Sequence, residues 1–224
     1  MNKINHALIM AAGRGLRMGP LTDAIPKAMA PHQGSTLIGK GINKIRKHIR
    51  NIHITVGYKG AMLAEHVIEN DVSTIINTEG RGNCWWVFNS LLKYLNEPIF
   101  VLTCDNVIEL DFEQFSENYY ALGSPLCMVV PVKPVEGLEG DYIFCESNKV
   151  SKLTRTEESE KYCSGIQILN PWKVNKVMHA TENFYDLWDE LIKRKELYCS
   201  SIFPKKWYAV DTIRQLEEIN KTIL

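Results

Sequence analysis

Three groups of residues could do chemistry on phosphates. The first is the stretch Ala11-Ala12-Gly13-Arg14-Gly15, followed by Arg17 and, after Pro26, by Lys27. Glycines at such a loop let backbone N–H groups approach phosphate oxygens without a Cβ in the way. Arg17 can engage phosphate bidentately and Lys27 acts as a mobile point charge, a pairing that suits a nucleoside triphosphate whose departing pyrophosphate must be stabilised. The spacing is not the dinucleotide fingerprint, because Met18 stands where the third glycine belongs, and no Gly-Lys-Ser/Thr follows to make a P-loop. The second group is Cys104-Asp105-Asn106, where a carboxylate ends the apolar run Val101-Leu102-Thr103; Mg²⁺ prefers one or two carboxylates plus phosphate oxygens and water. The bland alternative is an Asp-Asn turn. The third is Asp211, which on its own reads as the N-cap of the helix carrying Ile213, Leu216 and Ile219 on one face.

These groups need elements that bring them to one rim. Ala7 to Ala12 reads as a strand buried on both faces, since nothing in it alternates and it stops at glycine. Ser35 can cap a helix running to about Ile49, with Leu37, Ile38, Ile42, Ile45 and Ile49 inward and Lys40, Lys44, Arg46 and Lys47 in water. Strands follow at 52–56, 74–76 and 99–103, with helices at 61–69 and 85–95 between them, and Asp111 caps a helix beginning at Phe112. This alternation predicts an α/β fold with a mostly parallel central sheet, right-handed crossovers and helices on both faces. Loops at the carboxyl ends of its strands are where such sheets bind ligands. Beyond it, 126–132, the hairpin 142–145/150–153 around Glu146-Ser147-Asn148-Lys149, and 162–169 read as a small antiparallel region. Without an internal repeat or linker, residues 1–224 read as a single domain.

Composition sets limits. The 26 basic and 26 acidic residues balance, which argues against a nucleic-acid or membrane-surface binder. Neither a signal peptide nor a transmembrane run is apparent, and six scattered cysteines without a C-x-x-C pair read as reduced thiols of a cytoplasmic protein, with no disulfide framework or zinc site.

The string A-A-G-x-G-x-R-M-x-P-L-T-x-x-x-P-K-A-M, from Ala11 to Met29, closely resembles the nucleotide-binding segment of the sugar-nucleotidyltransferase family. The resemblance continues through Cys104 to Phe112, similar to the family's G-D-x-x-x-x-x-D-F with Cys104 in place of glycine, and through Trp207 to Leu216, similar to W-x-D-I-x-T-x-x-D-L. It implies a Rossmann-like fold and an Mg²⁺-dependent enzyme that moves a nucleoside monophosphate onto a sugar 1-phosphate, serving sugar-nucleotide and cell-surface polysaccharide biosynthesis. Arg17 and Lys27 would be catalytic. Ala11, Ala12, Gly13, Arg14 and Gly15 would bind the nucleotide with Asn77, Gly82, Asn83 and Asp105, and Asp105 with Asp211 would hold the metal. Gly82-Asn83-Cys84 replaces the family's Gly-Thr-Ala, so the base stays open; the adjacent Trp85-Trp86 reads as core or as a stacking surface. On the acceptor side the resemblance places Ser164 and Gly165, with Ser164 where sugar-activating members carry Asn. Phe184-Tyr185-Asp186-Leu187-Trp188-Asp189 resembles phosphocholine cytidylyltransferases of the same superfamily, so Tyr185, Asp186 and Trp188 could hold a cationic head group by cation–π attraction, or form an ordinary amphipathic helix. The expected partners are a nucleoside triphosphate and a small phosphorylated acceptor, with self-association open. A non-catalytic nucleotide-binding module is the rival reading.

Overall fold

Strand β1, His6–Met10, is the hub of the fold: it pairs in parallel with β4, Asn51–Val56, on one side and with β6, Ile99–Thr103, on the other. The structure, a computed structural model, describes residues 3–135 and 140–221. In chain order, β1 leads through a 3₁₀ turn at Leu16–Met18, helix α1 at Pro20–Ala24 and a second 3₁₀ turn at Lys27–Met29 into the short hairpin β2, Pro31–His32, and β3, Ser35–Thr36. Then come α2, Leu37–Arg46, β4, α3, Gly60–Ile68, β5, Thr74–Asn77, and α4, Trp85–Asn89. Strand β6 is followed by β7, Asn106–Glu109, α5, Phe112–Ala121, β8, Cys127–Val132, β9, Tyr142–Glu146, β10, Lys149–Thr154, and β11, Tyr162–Leu169. Helices α6, Pro171–Val177, and α7, Phe184–Lys193, precede β12, Leu197–Cys199, β13, Lys206–Ala209, and α8, Ile213–Lys221.

The expected parallel central sheet with helices on both faces is present as β5-β4-β1-β6, within the full order β5-β4-β1-β6-β11-β8-β12-β10-β9. Its antiparallel part is not a separate layer. Strand β11 pairs antiparallel with β6 and joins both halves into nine continuous strands, since Gln167, Ile168 and Leu169 sit opposite Val101, Phe100 and Ile99. The alternation of β1 divides the core between the faces. Ala7 and Ile9 pack with Ile42, Leu63, Val67, Phe115 and Tyr119 of α2, α3 and α5, whereas Leu8 packs with Trp86, Val174, Leu187 and Leu191 of α4, α6 and α7. No described helix is long and apolar enough to cross a membrane.

Two local expectations are corrected. Thr36 rather than Ser35 caps α2: it immediately precedes the first helical residue, Leu37, and its hydroxyl oxygen accepts the Gly39 N–H at 3.0 Å. The helix expected over 85–95 stops at Asn89. Ser90 adopts an extended conformation (φ −100°, ψ 170°), its hydroxyl donates to Trp86 O at 2.7 Å and accepts from Leu92 N at 3.2 Å, and the chain restarts as a 3₁₀ turn over Leu91–Tyr94. The hairpin between β9 and β10 turns on Ser147 and Asn148, both at positive φ (48° and 66°), the conformation that brings two strands back with the right twist.

Candidate functional site

The rim formed by the carboxyl ends of β1 and β6 gathers a cluster of four charges. The Lys27 ammonium lies 2.5 Å from Asp105 Oδ2 and 2.8 Å from Asp211 Oδ1, and Arg17 Nη2 reaches the same Asp211 oxygen at 2.8 Å. Each member is placed by a different local device. Gly15 bends the loop at φ 70°, and a Cβ there would stand 2.8 Å from both Cβ and Cδ of Lys27, so the lysine stem runs across the bare glycine. Thr22, buried, ties the loop from beneath by donating to Gly15 O and Gly19 O. Asp105 emerges directly from β6. Asp211 arrives from the other side of the sequence on β13, which pairs antiparallel with β7 from Lys206↔Glu109 to Ala209↔Asn106; Val210 N then donates to Asp105 O at 2.9 Å.

Asp211 does not cap α8. Thr212 does, in a capping arrangement with Gln215: the Thr212 hydroxyl oxygen accepts from Gln215 N, and the Gln215 carboxamide accepts from the N–H groups of Asp211 and Thr212. The Asp211 carboxylate is thereby left for Lys27 and Arg17. Burial alone would lower the Lys27 pKa, but the nearby carboxylates, Asp105 first, outweigh it and hold the ammonium above its ordinary value of 10.5. Lys27 is 7% exposed, so its charge is set by these two partners more than by solvent. Burial pushes the neighbouring Cys104 thiol up to about 12, which removes it as a nucleophile.

Beside the cluster lies a cleft of about 370 Å³, within the range of small-molecule sites. Ala12, Gly13 and Arg14 from the loop after β1 line it together with Gly82 and Asn83 from the loop after β5. Ala11 sits behind this surface, 2% exposed, its N–H donating to Thr55 Oγ1. Arg14 lies 5.1 Å over the Tyr58 ring and pairs with Asp23. The structure does not bring Asn77 into the lining, because its side chain folds back in a turn to accept from Glu79 N. Asn83 reaches the cleft with its carboxamide oxygen already accepting from Phe184 N.

The acceptor-side residues are mostly engaged within the protein itself. Trp188 is 8% exposed, stacks on Phe184 and donates from Nε1 to Gln167 Oε1 at 2.9 Å, so its indole belongs to the core and presents no face to a cation. Asp186 is solvated, and Tyr185 turns its hydroxyl to Asp141 Oδ1 at 3.2 Å, an oxygen that also accepts from Arg155. The Ser164 hydroxyl donates to Val130 O and accepts from Ile166 N, both within the sheet. Its carbonyl accepts from Asn106 Nδ2, and Gly165 at φ 76° lets β11 lie against Thr103 beside Asp105. Of the tryptophan pair, Trp86 is core and lines the cleft with its Nε1 buried and unpartnered, while Arg81 lies 5.6 Å over Trp85.

Sequence reasoning passed over three contributors. Tyr58 lines the cleft and bonds through its hydroxyl to Thr22 O, a position its place after β4 on the same rim could have flagged. Thr22 lay inside the quoted motif without a role. Glu182 had no sequence signal, yet its carboxylate accepts from Gly82 N and its carbonyl from Cys84 N. A Cβ on Gly82 would come within 2.0 Å of that carbonyl oxygen.

A profile described as Nucleotidyl transferase matches residues 6–224. The bifunctional protein GlmU of Methanococcus aeolicus is 42% identical over 105 residues, which cover 47% of this chain and 26% of that protein. The bifunctional IPC transferase and DIPP synthase of Aquifex aeolicus is 24% identical over 99% of this chain and 52% of its own length, so the chain spans about half or less of these curated relatives. Among solved structures, the inositol-1-phosphate CTP transferase from T. maritima superposes with a TM-score of 0.74 at 13% identity, covering 99% of this chain and 98% of that one. A UDP-glucose pyrophosphorylase complexed with UDP-glucose superposes with a TM-score of 0.73 at 18% identity, covering 97% of each.

Proposed function

The chain belongs to the nucleotidyl transferase family, and from that premise we propose that it transfers a nucleoside monophosphate from a nucleoside triphosphate to a sugar 1-phosphate and releases pyrophosphate. The observation that carries this reading is the meeting of Lys27, Arg17, Asp105 and Asp211 at one strand rim beside the glycine-lined cleft. An acceptor phosphate oxygen attacks the α-phosphorus in line, so no protein nucleophile is required, and the protein's contribution is positioning and charge. The backbone at Gly13 cradles phosphate oxygens. Lys27 and Arg17, whose present partners are carboxylates, stabilise the charge that builds on the departing pyrophosphate.

Two carboxylates converging on one cation fit a divalent ion, so Asp105 and Asp211 would hold Mg²⁺. Bound there, it would neutralise the phosphates that must approach each other. A sugar phosphate is favoured over a cationic ester because Trp188 is buried and Asp186 stands in solvent, so α7 presents no aromatic cage. The likeness to a UDP-glucose pyrophosphorylase supports the same choice. Such an enzyme would work in the cytoplasm, where nucleoside triphosphates are available, and supply sugar nucleotides.

The test is a pyrophosphate-release assay with Mg²⁺ across CTP, UTP, GTP and dTTP, each with glucose 1-phosphate, mannose 1-phosphate, inositol 1-phosphate and phosphocholine. Turnover with a sugar phosphate that is lost in Asp105→Asn and Asp211→Asn is expected. Nucleotide binding without pyrophosphate release in any combination would instead favour a binding module, and turnover confined to phosphocholine would overturn the acceptor.

A further inference from the structure

A second cavity, about 1020 Å³, opens between α2 and the β7–β13 ribbon, and the proposed chemistry uses none of it. Its walls are apolar, including Ile9, Ile38, Leu102, Val107, Phe112 and Trp207. Its rim is cationic. Lys40, Lys44 and Lys47 follow one another at i, i+4 and i+7 along one face of α2 and the turn beyond it, and Lys205 and Lys206 reach the same opening from the start of β13. Lysines near the end of α2 would also serve its dipole, but those on β13 have no helix end to offset. Among the described residues, the ammonium groups of Lys40, Lys47 and Lys205 have no ion-pair or hydrogen-bond partner. The rim carboxylates are already engaged, Glu109 by Lys206 and Glu218 by Tyr208 and Arg214. Trp207 Nε1 is buried without a partner, a state that few native donors retain.

We propose that this cavity is a binding site for a small anionic amphiphile, an acyl or aryl body that fills the apolar interior and carries a carboxylate or phosphate to the lysine rim. The apolar walls select the body and the unpaired ammonium groups select the sign of the head. The buried indole N–H supplies a donor for an acceptor atom on the ligand.

The probe is 8-anilinonaphthalene-1-sulfonate, followed by its fluorescence on the full chain, against uncharged N-phenyl-1-naphthylamine. Saturable binding of one equivalent of the sulfonate is expected, about tenfold tighter than the neutral probe. Octyl phosphate should displace it, and octanol at equal concentration should not. Two variants outside the nucleotide machinery locate the site: Lys40→Glu/Lys47→Glu reverses rim charge, and Gly41→Phe fills the opening from a position where a Cβ meets nothing within 4 Å. Each should weaken the sulfonate about tenfold while circular dichroism and pyrophosphate release stay unchanged. Equal affinity for both probes, non-saturable binding, or unchanged affinity in both folded variants would overturn the proposal.

Discussion

Replacing Lys27 with methionine keeps a stem of similar length across Gly15 but removes the charge that two carboxylates share. Breaking a buried ion pair by deleting one partner costs about 3–5 kcal/mol, because the remaining charge is stranded. The Asp105 and Asp211 side chains retain 23% and 18% of their exposure and Arg17 stays on Asp211, so a loss below that range, about 2–3 kcal/mol, is the reasoned value. At about 2–4 °C per kcal/mol for a chain of this size, the melting temperature should fall by roughly 4–12 °C. Millimolar Mg²⁺ should return more of that loss to Lys27→Met than it adds to the wild type, since a divalent ion can take up the role of the missing ammonium. The pH dependence has a defined sign. The folded Lys27 pKa is raised, so its contribution is fully present below the unfolded value near 10.5 and disappears as pH rises through the higher folded value. The gap between wild type and variant should therefore close only in strongly alkaline buffer. In parallel, kcat/KM should fall about 10²–10³-fold, the usual effect of losing one charged group that stabilises a transition state. Differential scanning fluorimetry and pyrophosphate release measure both arms. A variant that melts within about 1 °C of wild type at neutral pH without metal would refute the reasoning.

Gly15→Ala should cost about 1–2 kcal/mol for the left-handed backbone alone and, by pushing the Lys27 stem, reduce turnover by more than its melting shift accounts for; thermal melts and steady-state kinetics separate the two. Trp188→Phe should lower stability by about 1–2 kcal/mol in urea titrations through loss of the bond to Gln167, with no change in acceptor KM; a selective KM effect would return Trp188 to the site. His53, buried against His6, has its pKa lowered by burial to about 4, so the neutral ring's contribution is intact above pH 6.5 and is lost as pH falls toward 4. Urea unfolding at several pH values should show up to about 3 kcal/mol of acid destabilisation that His53→Gln removes.

The parallel half of the sheet was legible because buried strands leave unbroken apolar runs between amphipathic helices, and β1, β4 and β6 fall where those runs stand. Local competition was harder to read. Ser35 and Thr36 are both good caps, and where the helix begins, at Leu37, decides that Thr36 takes the role. Ser90 interrupts a segment of helix-forming residues through its own hydrogen bonds to the backbone, a choice that periodicity does not register. Asp211 read as the N-cap of the last helix; the ribbon sends its carboxylate to Lys27, and the neighbouring Thr212 closes the helix instead. Trp188 shows the opposite problem, an aromatic beside acids whose burial follows from its spacing with Phe184 and Leu191 but whose bond to Gln167 depends on a strand distant in sequence. The cleft was visible as two glycine loops, whereas the Glu182 contact to Gly82 joins residues 100 positions apart and left no trace.

The β7–β13 ribbon also sets the order in which the molecule can assemble. Lys27 meets Asp105 across 78 residues and Asp211 across 184, and closing the longer loop costs only slightly more chain entropy than closing the shorter. Time on the ribosome grows in proportion to length, however, at about 5–20 residues per second. A nascent chain can therefore complete β1, β4 and β6 and hold Lys27 on Asp105 well before β13 exists to deliver its partner. During that interval β7 is an unpaired edge beside a charge cluster that has two of its four members in contact. Addition of β13 shields that edge and brings in Asp211 in one step, so synthesis of β13 both ends the exposure and completes the four-charge cluster.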